Sequence, residues 1–200
     1  MIRKTLIAST ISASLCSWSF ADETYDLVIY GGSSAAVAAA VQVKKMGGSV
    51  VIIEPTNRIG GLTTGGLGQT DIGNKQVIGG ISRNFYQDVK KHYSDPKSWT
   101  AMEPPKETFK GDGQSVTEAH EDTQWGFEPS AALKIYERWI KENDIKVVYG
   151  ERLDRTGEGK AVDRGDGFWV AKPGTVGKGT VKDGNKITAI VMESGKKFEG

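Results

Sequence analysis

The chain has 200 residues, 38% of them hydrophobic and 26% charged, with 26 basic residues against 25 acidic and a formal net charge of +1. That is enough chain for one domain with a real core. The near-neutral balance, with no basic cluster interleaved with aromatics, excludes a nucleic-acid-binding reading.

Met1 to Ala21 reads as a secretory signal. Arg3 and Lys4 supply a positive start, Leu6 to Phe20 a mildly apolar middle, and Ser19 and Ala21 the small residues that a signal peptidase reads. Cleavage is expected after Ala21, which makes the protein periplasmic or secreted. The apolar run is too short and too serine-rich to span a bilayer comfortably, and Leu15 before Cys16 argues against a lipoprotein, so no stable membrane anchor is expected. Cleavage removes two of the 26 basic residues and the single cysteine, leaving a net charge of −1 against 25 acidic residues. The mature chain then has no disulfide and no thiol centre, and redox chemistry has to come from a bound cofactor.

The stretch from Tyr25 to Glu54 organises the rest. Leu27 to Tyr30 is a short apolar run, as expected of a parallel strand covered on both faces. Gly31 and Gly32 break it. Ser34 to Met46 is rich in small and apolar residues, with Ala36, Ala39, Ala40 and Val43 at helical spacing. Gly47-Gly48 stops that helix, and Val50 to Ile53 is a second apolar strand ending in Glu54. A helix that starts directly after a strand points its unpaired N–H groups and the positive end of its dipole at the turn, where a pyrophosphate can sit. Glycine lets the backbone turn sharply and approach the phosphates. A carboxylate at the second strand's end reaches ribose hydroxyls, and Glu54 lies 23 residues after Gly31, close to the required spacing. On the pattern G-x-G-x-x-G the three positions are Gly31, Ser33 and Ala36. Alanine at the third is an accepted variant; serine at the second puts a side chain where the pyrophosphate comes closest, with a hydroxyl able to donate to a phosphate oxygen.

Gly60-Gly61 follows six residues past the acid, within "RIGGLTTGGLGQTD", and Trp125-Gly126-Phe127-Glu128-Pro129 stands before the next helical pattern. These elements resemble the FAD-binding oxidoreductases of the glutathione-reductase type, and in particular the secreted or envelope-associated bacterial FAD-dependent oxidoreductase family. The resemblance covers about residues 25 to 93 and 125 to 200. It implies an extended FAD whose pyrophosphate lies on the first turn, mapped here onto Gly31, Gly32, Ser33, Ser34, Ala35 and Ala36. It maps the ribose acid onto Glu54, the second glycine element onto Arg58, Gly60 and Gly61, and a backbone contact to adenine onto the chain near Leu153.

Thr56 to Gly80 reads as a long glycine-rich loop. A helix follows from about Ile81 to His92, with Ile81, Phe85 and Val89 on one side and His92 at the surface end. Ser94 to Gln124 is a polar, proline-containing loop of the kind that is functional or mobile. Glu118, His120, Glu121 and Asp122 sit close together there, but with no second ligand cluster a solvated loop is the expectation, and no metal. Pro129 suits a first helical turn, and Ala131 to Asn143 is amphipathic, with Ala132, Ile135, Tyr136, Trp139 and Ile140 inward. Ile145 to Tyr149 is a third strand of the nucleotide sheet. Phe168 to Ala171, Thr175 to Val181 and Lys186 to Glu193, punctuated by Asp183-Gly184-Asn185 and Ser194-Gly195, read as an antiparallel meander with nothing to pack against.

The expected architecture is α/β, a Rossmann-like FAD/NAD(P)-binding three-layer fold with an antiparallel β-meander. Its expected divisions are a signal over 1–21, an FAD-binding region over 22–154 and the start of a second region over 155–200, the N-terminal part of a longer protein. The expected function is that of an exported FAD-dependent oxidoreductase passing a hydride or electrons between a small organic substrate and FAD. The alternatives are a NAD-dependent dehydrogenase, since Glu54 suits either nucleotide, and a nucleotide-binding fragment without activity of its own.

Overall fold

The computed structural model describes residues 23–68, 73–100, 117, 120–156, 161–163, 165, 169–171 and 177–200. The expected signal segment, most of the polar loop with Glu118, and the starts of two expected meander strands at Phe168 and Thr175 lie outside these residues.

Three parallel strands form the central sheet in chain order: β2 (Leu27–Tyr30), β3 (Val50–Glu54) and β4 (Lys146–Tyr149). A short β1 (Glu23–Thr24) precedes them. Helix α1 (Ser34–Lys45) crosses from β2 to β3. The longer crossover to β4 carries α2 (Gly61–Gly65), a 3₁₀ turn (Lys75–Val77), α3 (Gly80–Tyr93), a second 3₁₀ turn (Pro96–Ser98) and α4 (Pro129–Glu142). Strand β3 is central and buried along its whole length, which explains its unbroken run of Val50, Val51, Ile52 and Ile53.

Alternation along the strands sorts the core into two faces. Leu27, Ile29, Val50, Ile52 and Val147 meet the helices, together with Val37, Ala40 and Val41 of α1 and Ala132, Ile135 and Trp139 of α4. Phe85 of α3 stacks on Tyr136 of α4 with ring centroids 5.0 Å apart and meets Phe127 edge-on at 5.3 Å. The Trp125-to-Pro129 element is thus a packing device: Trp125 is 1% exposed against Tyr86, and Phe127 N–H donates to Gly68 O at 3.0 Å.

The other face carries Val28, Val51, Ile53 and Val148, and here the structure departs from the sequence pattern. The meander does have something to pack against. Strands β7 (Thr180–Asp183), β8 (Lys186–Val191) and β9 (Lys197–Glu199) form one sheet with β1, in the order β1-β9-β8-β7. Met192 and Phe198 bury against Val51 and Ile53. Strand β1 pairs parallel with β9, Glu23 opposite Phe198, a pairing across 175 positions that no local pattern signals. A separate hairpin of β5 (Ala161–Asp163) and β6 (Trp169–Ala171) stands apart from both sheets.

The stretch from Thr56 to Gly80 also differs from the expected loop, because it contains α2 and the first 3₁₀ turn. Helix α2 is too short and glycine-rich to form on propensity. Long-range contacts with α4 and α1 hold it.

Candidate functional site

Strand β2 delivers the chain to Gly31, whose φ of +93° is a left-handed conformation that glycine adopts without strain. Its N–H donates to Ile53 O at 2.8 Å, so the turn begins hydrogen-bonded to β3. At Gly32 the demand is space. A Cβ there would lie 2.5 Å from Ile59 Cδ1 and 2.8 Å from Glu54 Oε2.

Ser33 is the N-cap of α1. Its φ and ψ of −68° and 172° are extended, and its Oγ accepts from Ala36 N at 3.3 Å. The serine that departs from the glycine pattern therefore has a structural task, and its hydroxyl proton is left to donate. Ser34 and Ala35 open the first turn, where helical N–H groups have no intrahelical partner. Ser34 Oγ donates toward Thr63 Oγ1 at 2.7 Å and Gly60 O at 3.0 Å, which ties α1 to the second glycine element.

Glu54, at the end of β3, is buried and aimed back at the turn. Its Oε2 accepts from Gly32 N at 2.5 Å and its Oε1 from Thr56 N at 2.7 Å. Burial acts to raise its pKa, but hydrogen bonds from the Thr56 side chain and from the backbone N–H groups of Gly32 and Thr56 outweigh that, so the carboxyl titrates below its ordinary range. It is a fixed, ionised acceptor with lone pairs to spare for hydroxyl donors.

Gly60 and Gly61 complete the wall. Gly60 has φ +99°, donates to Gly32 O at 2.6 Å and forms a parallel bridge with Ser33. A Cβ on it would strike Thr64 Cγ2 at 2.2 Å and Tyr136 Cδ2 at 2.9 Å. Gly61 presses on Ser33 Cα, which a Cβ would meet at 3.4 Å. Arg58 is exposed, and its guanidinium serves the end of α2: Nε donates to Thr64 O at 2.9 Å and Nη2 to the same oxygen.

Gly31, Gly32, Ser33, Ser34, Glu54, Gly60 and Gly61 thus form one surface at the carboxyl ends of the parallel strands, with Ala35 and Ala36 in the first turn of α1 behind it. Leu153 donates its N–H to the hydroxyl of Tyr30, the residue before Gly31, at 3.1 Å, and its backbone bridges to Met192.

Two residues of this surroundings carry no motif. Tyr149 ends β4 in register with Glu54; burial raises its pKa, and the nearby carboxylates of Glu137 and Glu54 push the same way. Tyr136 is buried against Gly60, and burial raises its pKa. Only the register of the sheet and the docking of α4 bring them here; the sequence shows Tyr136 merely as an inward position. In the polar loop, Glu121 pairs with Lys75 at 2.7 Å and Asp122 with Arg83 at 2.5 Å, so both acids clamp the loop onto neighbouring elements.

The donor set fits a dinucleotide: a glycine cradle that a Cβ would fill, the N-terminal end of a 12-residue helix, and a carboxylate at the adjacent strand tip.

A family model described as FAD dependent oxidoreductase matches residues 26–199. A search of curated proteins returns no match. Among solved structures, a flavin-containing monooxygenase from Stenotrophomonas maltophilia aligns with a TM-score of 0.44 at 12% identity, over 88% of this chain and 36% of that one. The bacillithiol disulfide reductase Bdr from Staphylococcus aureus aligns with a TM-score of 0.41 at 16% identity, over 89% of this chain and 35% of that one. The chain thus spans about a third of the length of these structures.

Proposed function

The chain belongs to the FAD-dependent oxidoreductase family, and from that premise we propose that it carries the adenosine and pyrophosphate half of the FAD site of an exported flavoenzyme acting on a small organic molecule. FAD, when bound, supplies the redox chemistry. The chain's own residues do the holding. The backbone of Gly31 to Ser34 and the end of α1 face the pyrophosphate, with the Ser33 hydroxyl as an added donor. Glu54 accepts from the ribose hydroxyls while Gly32 and Thr56 keep its carboxylate ionised and in place. Gly60 and Gly61 let the second element close on Ser33 without a side chain between them.

The observation that carries this reading is the carboxylate of Glu54 lying 2.5 Å from Gly32 N, at the mouth of α1. Export is supported by the basic start, apolar middle and small residues of Met1 to Ala21. Among the described residues, no helix is long and apolar enough to cross a membrane.

The test is spectroscopic. The protein, purified with its reading frame complete, is expected to show a visible flavin spectrum or to acquire one with added FAD. A colourless protein that gains no absorbance, or one that binds NADH tightly and FAD not at all, overturns the proposal.

A further inference from the structure

Helices α1, α3 and α4 enclose a cleft of about 290 Å³ that opens beside the first residue of α1. Ala35 and Ala38, one helical turn apart on α1, leave it room. Phe85, Tyr86, Tyr136 and Trp139 supply its aromatic lining, Phe85 and Trp139 meeting edge-to-face at 86°. Ser34, Thr63 and Ser82 stand among its lining, with Ser34 Oγ donating to Thr63 Oγ1 at 2.7 Å. No charged side chain lines it. The two larger grooves near the outer ends of α3 and α4 differ in this respect, since both are walled by Asp88, Arg138 and Glu142. An apolar cleft with a few convergent polar groups is the usual form of a small-molecule site. Without a charged partner it disfavours an ion, because desolvating a charge there would go uncompensated. Its size admits one or two fused rings.

We propose that this cleft binds an uncharged, ring-shaped organic molecule bearing a hydroxyl or carbonyl group, packed against its apolar and aromatic side chains and hydrogen-bonded to the serine and threonine hydroxyls. The proposal deepens the flavin reading by naming the class of molecule taken beside the cofactor, and rests on that reading only for the cofactor's presence.

The experiment compares 2-naphthol with 2-naphthoate, which have the same rings but are neutral and anionic respectively at pH 7. Each is titrated by calorimetry into the full-length protein, flavin-loaded and flavin-free. One 2-naphthol per chain is expected, bound at least tenfold more tightly than 2-naphthoate in the flavin-loaded protein. Ala38→Phe, which fills the cleft from α1, and Ser82→Trp, which blocks it from the exposed side of α3, are each expected to weaken 2-naphthol at least tenfold with flavin absorbance per chain unchanged. Should Ala38→Phe not fold, Ser82→Trp carries the test, because Ser82 is exposed. Equal affinity for the two probes, no binding of either, or no effect of Ser82→Trp overturns the proposal. So does 2-naphthol binding that disappears once flavin is loaded, since the cleft then belongs to the cofactor's own ring. A protein that binds 2-naphthol as expected but never takes up flavin leaves this site standing and removes the flavin reading instead.

Discussion

Glu54 is legible in the sequence as the acid that ends the second strand, spaced from Gly31 as a dinucleotide site would have it, but its two backbone hydrogen bonds are not. They depend on β2 and β3 lying side by side in register, Tyr30 opposite Ile53, so that Gly32 comes within reach of the next residue's carboxylate. The consequence for pH follows from the sign of the shift. The folded-state pKa lies below the reference 4.5, so the stabilisation is fully present above about pH 4.5 and is lost as pH falls through the lowered folded value. Glu54→Gln keeps the shape and removes the charge. Hydrogen bonds to a charged group are worth about 1.5–3 kcal/mol, so FAD affinity is expected to fall roughly 10- to 100-fold. In the same variant the acid-side loss of stability as pH falls below about 4.5 should flatten. Calorimetric titration with FAD and urea midpoints measured across that pH range check both outcomes. An unchanged FAD affinity would place the ribose elsewhere.

At the scale of elements, the start of α1 joins two demands. The helix needs a cap for its orphan N–H groups, and the site needs small residues in the turn. Serine at position 33 stays small for the second and meets the first by accepting from Ala36 N through its Oγ. Ser33→Ala is expected to lower stability by about 1 kcal/mol, whereas Ser33→Gly costs only a few tenths, since glycine is itself an acceptable cap. Chemical denaturation distinguishes them. Ser33→Gly restores the glycine pattern but removes the hydroxyl, and its FAD affinity is expected to fall roughly tenfold, as for one hydrogen bond to a charged group; an unchanged affinity would show that the hydroxyl holds no phosphate oxygen. Helix α2 gives the converse lesson. Its Gly60-to-Gly66 stretch looks like pure loop because glycine disfavours helix, yet Arg58 at its carboxyl end and Thr64 Oγ1, 2.5 Å from Ile59 O, hold a turn that propensity would not.

At the scale of the whole molecule, the parallel sheet is sealed on both faces, by helices on one and by β1 with β7 to β9 on the other. Phe198 is 3% exposed, and truncating such a side chain typically costs about 3–5 kcal/mol. Phe198→Ala is therefore expected to weaken the entire fold, with loss of far-UV ellipticity and of bound flavin in a single transition on denaturation. Flavin release well before loss of secondary structure, or a cost under about 1 kcal/mol, would show that the antiparallel layer folds apart from the nucleotide sheet.

Local order was in the sequence. The run of β2, glycine turn, α1, β3 and terminal acid announces itself because each piece is set by neighbours within a few residues: apolar runs, a glycine pair and helical spacing. The amphipathic faces of α3 and α4 are legible for the same reason. Tertiary structure alone decided that Tyr136 lies under Gly60, that Tyr149 stands beside Glu54, and that β1 closes a second sheet with β9. Those contacts join residues from 76 to 175 positions apart. Their partners are chosen by strand register and by which face each side chain happens to present, quantities that exist only once the layers have packed.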